Sequence, residues 1–179
     1  MASSAFWGIK GIDHQLRGLR TQLDRFDDAV RKRIVKRATK AALKVIVDGI
    51  RGKVPPRFKE VKRLIGERLV SLSGQSDIVT GIVGAGVGAA SRLTDQSRTH
   101  SGGVGISGAN IHWFILGTGQ RTRKSGGSTG AMPPQVPNVV KDGFEASKTA
   151  AMRVFLSELQ AGIETEREKV YAAIKRVSV

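Results

Sequence analysis

The feature that most constrains this chain is a regular apolar stripe near its N-terminal end. Apolar residues recur at intervals of three and four, at Leu16, Leu19, Leu23, Phe26, Val30, Ile34, Ala38, Ala42 and Val45. These intervals place side chains on one face of an α-helix. The pattern predicts one amphipathic helix over about 16–47, capped by Asp13 and stopped by Gly49, Gly52 and the prolines at 55 and 56. Gly18 weakens its first turns, so a later start or a bend is also compatible with the pattern.

The side of this helix opposite the stripe is strongly basic. We call it the basic face, and its residues are Arg31, Lys32, Arg33, Lys36, Arg37, Lys40 and Lys44. The 179 residues include 30 Lys+Arg and 15 Asp+Glu, a formal net charge of +15, and residues 1–68 hold 18 of the basic and 7 of the acidic ones. Such asymmetry indicates a nucleic acid, a membrane surface or an acidic protein face as partner, with a simply solvated helix face as the alternative.

The rest of the chain predicts a small sheet and a second long helix. Residues 61–70 fit a helical turn that runs into a strand, and residues 78–83 form the clearest strand because they are β-branched and bounded by turn residues. Helical spacing returns after Pro137, with Asn138 as cap. Gly162 is a weak point, so the pattern fits either one long helix or two shorter ones. The apolar face of this helix comprises Phe144, Ala151, Phe155, Leu159, Ile163, Val170 and Ile174.

These elements predict an α+β fold, in which a small antiparallel β-sheet packs against a long N-terminal and a long C-terminal helix. We expect one domain over 1–179, with flexible loops at about 84–108 and 119–131 and frayed tails at 1–12 and 175–179. The apolar run at 111–116 must be buried, either within this protein or against a partner.

No catalytic or cofactor site is predicted. The absence of cysteine excludes disulfides and thiolate chemistry and suggests a cytoplasmic origin. The glycines at 84–89 match a loose dinucleotide motif but lack the following helix and acidic residue. His100, Asn110 and His112 could suggest a metal-dependent nuclease, yet no carboxylate lies close to them in the sequence. We therefore expect a protein that is not an enzyme and needs no cofactor or metal.

Membrane insertion is also disfavoured. The longest mostly apolar stretch has about 13 residues, well short of the roughly 20 that span a bilayer. Residues 1–10 lack the basic start and apolar run of a secretory signal. Nucleic-acid binding remains open, because the basic face and the loop residues Arg121, Arg123 and Lys124 could follow a phosphate backbone. Few aromatic residues accompany them, so such binding would be sequence-independent and sensitive to salt.

The second half of the chain carries the elements of a resemblance. The aromatic and apolar run at 111–116 leads into Gly117-Thr118, and a proline element over 132–137 opens the last helix. In this order of elements, over about 14–165, the chain resembles the tail-completion or head-tail joining (neck) proteins of long-tailed bacteriophages. Apolar Ile115 and Leu116 replace the acidic residue that the family has before Gly-Thr, and the aromatic residue of the proline element is missing.

The resemblance implies a non-enzymatic structural protein of the virion neck, present in the host cytoplasm during assembly. It would form a ring with neighbouring copies between portal or adaptor proteins and tail-terminator or tail-tube proteins, with possible non-specific contact with packaged DNA and no membrane. The candidate interface residues are Trp113, Phe114, Gly117, Thr118, Arg121, Arg123, Lys124, Met132 and Pro133. A basic module that binds nucleic acid without sequence preference is the alternative function.

Overall fold

The computed structural model describes residues 12–71, 79–89, 107–108, 111–122 and 125–177. These residues form five α-helices, a short 3₁₀ turn and two antiparallel two-stranded sheets. In chain order the elements are α1 (Ile12–Leu23), α2 (Asp28–Lys53), the 3₁₀ turn (Pro56–Phe58), α3 (Lys59–Arg63), β1 (Ile65–Ser71), β2 (Val79–Ala85), α4 (Ile111–Leu116), β3 (Thr118–Thr122), β4 (Ser128–Met132) and α5 (Val139–Val177). The predicted α+β class is confirmed, with α2 and α5 as the long helices that pack together.

The predicted N-terminal helix is divided into α1 and α2 at Asp27. This residue has an extended backbone (φ −63°, ψ 161°), and its side chain accepts a hydrogen bond of 2.8 Å from the backbone N–H of Val30. The carboxylate thereby satisfies an N–H group that the first helical turn leaves without a partner. The expectation of one continuous helix is wrong, and so is Asp13 as its cap, because α1 already begins at Ile12.

The end of α2 is set by the prolines and not by the glycines. Gly49 and Gly52 lie inside the helix, which ends at Lys53, two residues before Pro55. The Arg51 side chain then fixes this end to the following elements. Its Nε donates to the carbonyl of Lys62 at 3.0 Å, and its Nη2 donates to the carbonyl of Ile65 at 2.9 Å.

Strands β1 and β2 confirm the predicted turn-and-strand pattern. They pair antiparallel, with Ile65 opposite Ala85 and Ser71 opposite Val79. The sheet packs on the second half of α2, where the Leu43 side chain lies against Gly81. A Cβ atom at Gly81 would come within 2.7 Å of Leu43 Cδ2. The sheet can approach α2 this closely because position 81 has no side chain.

The C-terminal helix α5 is continuous from Val139 to Val177. Gly162 does not interrupt it, because this glycine is buried against Ile34, and an added Cβ would lie 2.8 Å from Ile34 Cγ2. The helix runs antiparallel to α2 and extends past the start of α2 at Asp28. Val170 and Ile174 were expected on the core face, but they are 52% and 57% exposed. That part of the prediction is wrong because α2 is too short to cover them.

Two clusters of buried side chains form the core, and α2 contributes to both. The first joins the second half of α2 to α3, the start of β1, α4 and the start of α5. The second joins Leu23 of α1, the first half of α2 and the middle of α5, including Leu159 and Ile163. Helix α2 therefore has α5 along one face, while the opposite face is covered by the sheet only in its second half.

The apolar run at 111–116 forms the short helix α4, which is only partly buried. Ile111 and Ile115 belong to the core, whereas Leu116 is 75% exposed. This chain therefore buries only part of the run, and burial of the rest against a partner stays a prediction. The next segment of the chain also differs from the prediction. Strands β3 and β4 form a hairpin where a flexible loop at 119–131 was predicted. Most of the predicted loop at 84–108 lies outside the described residues.

Candidate interaction surfaces

The basic face is divided between structural and exposed residues. Arg33 Nη2 lies 3.1 Å from Glu166 Oε1 of α5, and Arg37 Nε donates to Glu158 Oε2 at 3.1 Å. Arg31 pairs with Asp24 and Asp28 across the α1–α2 connection. Lys32 is half-buried and also has an interaction. Several of the seven residues therefore hold this chain together.

Lys36, Lys40 and Lys44 behave differently. All three are exposed, and none of them pairs with a carboxylate of the described residues. Lys36 stands seven residues before buried Leu43, and Lys40 stands seven before buried Val47. Residues seven apart lie on nearly the same side of a helix. Lys36 and Lys40 therefore continue the side of α2 that the sheet covers further along, and together with Lys44, four residues after Lys40, they form what we call the lysine stripe.

Glu166 is the most strongly tied carboxylate at the α2–α5 contact. A hydrogen bond of 2.8 Å from Lys169 Nζ lowers the pKa of this carboxyl below its ordinary value of 4.5. Partial burial opposes the shift, and the positive charge of Arg33 adds to it. Its side chain is 14% exposed although the residues around it are largely exposed. The carboxylate is thus an intramolecular clamp between two helices and not a docking group.

The residues of the candidate interface that surround Gly117 form one connected unit. The Gly117 backbone N–H donates to the carbonyl of Trp113 at 2.9 Å, and the N–H of Gln135 donates to the carbonyl of Phe114 at 2.8 Å. The Met132 N–H donates to Thr118 Oγ1 at 3.2 Å. These bonds hold the end of α4, the base of the hairpin and the proline element against one another.

Gly117 permits this close contact. Its φ of 75° lies in the left-handed region, and a Cβ atom would come within 2.7 Å of the Met132 carbonyl oxygen and 2.9 Å of Pro134 Cδ. An L-residue would meet both a conformational and a steric cost at this position. The sequence had singled out the Gly-Thr pair and the proline element separately, and the fold brings them into contact.

An apolar depression of about 540 Å³ lies beside this unit. We call it the Leu116 groove, and it is lined by Ile115, Leu116, Pro134, Pro137, Asn138, Val140, Lys141 and Phe144. Leu116 stands exposed at its edge. No sequence pattern indicates this groove, because the alternation of exposed and buried residues in 111–116 is visible only once the run is known to be helical.

The remaining candidate residues are less central. Trp113, Phe114 and Met132 are half-buried, while Pro133 is exposed. Arg121 lies in β3, and Arg123 and Lys124 lie outside the described residues. The exposed His112 ring contacts the Trp113 ring edge-on, with centroids 5.5 Å apart. His100 and Asn110, considered for a nuclease site, are also outside the described part of the chain.

Neither metal binding nor membrane spanning gains support from the described residues. They contain no group of three His, Asp or Glu side chains placed to hold a metal ion. Their helices include none with the length and apolar character needed to cross a bilayer. Comparison with protein-family models, curated proteins and solved structures gave no match to this chain. Its function must be argued from its own surfaces.

Proposed function

We propose that this chain is a non-enzymatic structural protein of a bacteriophage neck, which joins head and tail as a ring-forming component. The observation that carries the proposal is the contact of Gly117 with Met132 and Pro134. This contact unites the two sequence elements on which the resemblance rests, Gly117-Thr118 and the proline element. A loop with no such packing would not require glycine, whereas at position 117 a Cβ atom would clash with backbone atoms.

The Leu116 groove is the docking surface in this proposal. It combines a largely exposed leucine with an open apolar depression, and both are fixed by the hydrogen bonds around Gly117. Exposed apolar patches on otherwise polar proteins are typical of protein–protein contact sites. In a closed ring each subunit contacts its two neighbours through two different surfaces. The groove of one subunit would therefore bind a different surface of the neighbouring copy, and not that copy's groove.

Reconstitution with purified phage connectors and tails tests this function. We expect the protein to co-sediment with the connector and to appear as a ring in electron micrographs, whereas Leu116→Glu abolishes ring formation, and with it co-sedimentation, while its circular dichroism spectrum is unchanged. Tyr171→Glu is the matched control, because Tyr171 is 66% exposed at the far end of α5. A wild-type protein that stays monomeric and never associates with connectors or virions would contradict the proposal.

The lysine stripe favours a second function, binding of nucleic acid without sequence preference. Lys36, Lys40 and Lys44 recur at intervals of four and are exposed. Each phosphate that a lysine neutralises contributes about 0.9 to the slope of log affinity against log salt. A filter-binding titration on duplex DNA should therefore lose about 3 units of slope when all three become Glu.

The matched control for that titration changes three exposed basic residues elsewhere, Lys59, Arg153 and Lys175, to Glu. The net charge then falls equally, but the stripe remains. Equal loss in both triple variants would mean that only total charge matters. Absence of DNA binding at low salt would remove this second function and leave the neck proposal untouched.

A further inference from the structure

A second apolar groove lies further along α5, between α1, α2 and α5. We call it the α1 groove. It has a volume of about 550 Å³, and its apolar lining residues are Leu16, Leu23, Val35, Phe155 and Leu159. Leu23 and Leu159 are buried, while Leu16, Val35 and Phe155 remain half-exposed. Apolar side chains of three helices thus converge without closing over one another.

The edges of this groove are basic. Arg17 and Arg20 project from α1 and are exposed. The groove continues into a depression of about 330 Å³ that shares Arg20, Leu23 and Val35 and adds Arg31 and Lys32 of α2. Among the described residues, Asp24 is the one carboxylate that lines this depression, and it is already paired with Arg31 at 3.3 Å. An apolar floor is therefore flanked by four basic side chains, of which Arg31 is paired with Asp24, while Arg17 and Lys32 also have interactions within the chain.

We propose that the α1 groove binds an amphipathic α-helix of another protein whose apolar face is bordered by Asp and Glu. Helices dock into such grooves through apolar anchors at intervals of three and four, and charge at the edges selects the partner and its orientation. The volume lies within the roughly 300–1,000 Å³ typical of binding clefts. Carboxylates beside the anchors would face the exposed Arg20 and lie within the positive potential of the basic edge.

A second copy of this chain is a poor occupant for the same groove. Its net charge is +15, so like charge opposes the approach of one copy to the basic edge of another. The acidic side chains Glu158 and Glu166 of α5 are already held by Arg37 and Arg33. The electrostatics of the groove therefore favour a partner of opposite charge. The inference does not depend on the neck proposal.

The probe is a fluorescein-labelled peptide of about 18 residues with Leu at helical intervals of three and four and Glu on both flanks, titrated with the full chain in an anisotropy assay. We expect saturable binding that weakens with salt. Arg17→Glu with Arg20→Glu should weaken it about tenfold or more. The matched variant, Lys40→Glu with Lys44→Glu, has the same net charge but changes exposed lysines outside the groove, and should weaken it less than about threefold.

Two peptide controls separate shape from charge. The first has the same composition with the Leu residues scattered around the helix, and the second has Lys in place of Glu. Neither should bind measurably. A further variant, Leu16→Gln, should weaken binding of the original peptide while the melting temperature, followed by circular dichroism, stays close to wild type, because Leu16 is only half-buried.

Four results would overturn the inference. These are no binding of the acidic peptide at low salt, equal binding of the scattered peptide, equal loss in the two charge-reversal variants, and binding to phosphatidylglycerol vesicles but not to the peptide. The last result would assign the groove to an anionic lipid surface. None of the four alters the expected result of the Leu116 connector experiment, so this inference and the proposed function fail separately.

Discussion

Gly143 of α5 lies directly against the backbone of Ile50 of α2. A Cβ atom at position 143 would come within 2.3 Å of Ile50 Cα and 2.7 Å of Ile50 N. Neither backbone atom can move aside as the end of a flexible side chain could. The two long helices therefore meet at this point with no room for even a methyl group.

Gly143→Ala should destabilise the protein. Overpacking of this kind costs about 1–3 kcal/mol, and the higher helix propensity of alanine returns up to about 1 kcal/mol. We expect a net loss of about 1–2 kcal/mol in the free energy of urea unfolding. Gly18→Ala is the control, because Gly18 is exposed within α1 with no atom near its added Cβ, and should be neutral or stabilising. Equal effects of the two changes would contradict the close approach.

Asp27→Ala should lower stability by about 1 kcal/mol, because the Val30 N–H then loses its acceptor. Asp27→Asn retains a side-chain oxygen and should change the free energy of unfolding by only a few tenths of that amount. Chemical denaturation of both variants provides the measurement. If Asn is as harmful as Ala, the residue does not act as a helix cap.

Glu166→Gln should destabilise the protein in a manner that depends on pH. The pKa of Glu166 is lowered in the folded protein. The carboxylate therefore stabilises the fold fully above its ordinary pKa of about 4.5, and this contribution disappears as the pH falls through the lower folded value. Urea unfolding should show a deficit of the variant at pH 7 that narrows below pH 4.5. A constant deficit across this range would exclude the charged contact as its cause.

Gly117→Ala should destabilise the unit formed by α4, the hairpin and the proline element. The left-handed backbone costs about 1–2 kcal/mol for a residue with a Cβ, and contact with the Met132 carbonyl adds to this cost. Gly119→Ala, in β3 with no atom near its added Cβ, is the control and should have little effect on thermal unfolding. The opposite order of the two melting temperatures would contradict the role given to Gly117.

Apolar periodicity predicted the two long helices and most of their contact face. It failed at Asp27 because Leu23, Phe26 and Val30 keep their three- and four-residue spacing through the turn and all contribute to one cluster. It failed at Val170 and Ile174 because exposure there depends on where α2 begins. Spacing reports which residues share a face, whereas coverage of that face depends on the partner helix.

The candidate surfaces were predictable only in part. Composition located the basic face, but nothing in the sequence distinguished Arg33 and Arg37, which pair with α5, from the exposed lysines. The Gly-Thr pair and the proline element were both identified, yet their contact depends on the left-handed backbone of Gly117. The two grooves arise from side chains on separate elements, so no local pattern indicates them.

The pairing of α2 with α5 has a consequence for how the protein is made. Ile34 packs against Gly162 and Ile50 against Gly143, so these contacts join residues 128 and 93 positions apart. During synthesis the apolar face of α2 leaves the ribosome long before its partner has been translated. Proteins dominated by such distant contacts fold slowly and expose apolar surface meanwhile. We expect α2 to need chaperone protection in the growing chain until α5 emerges.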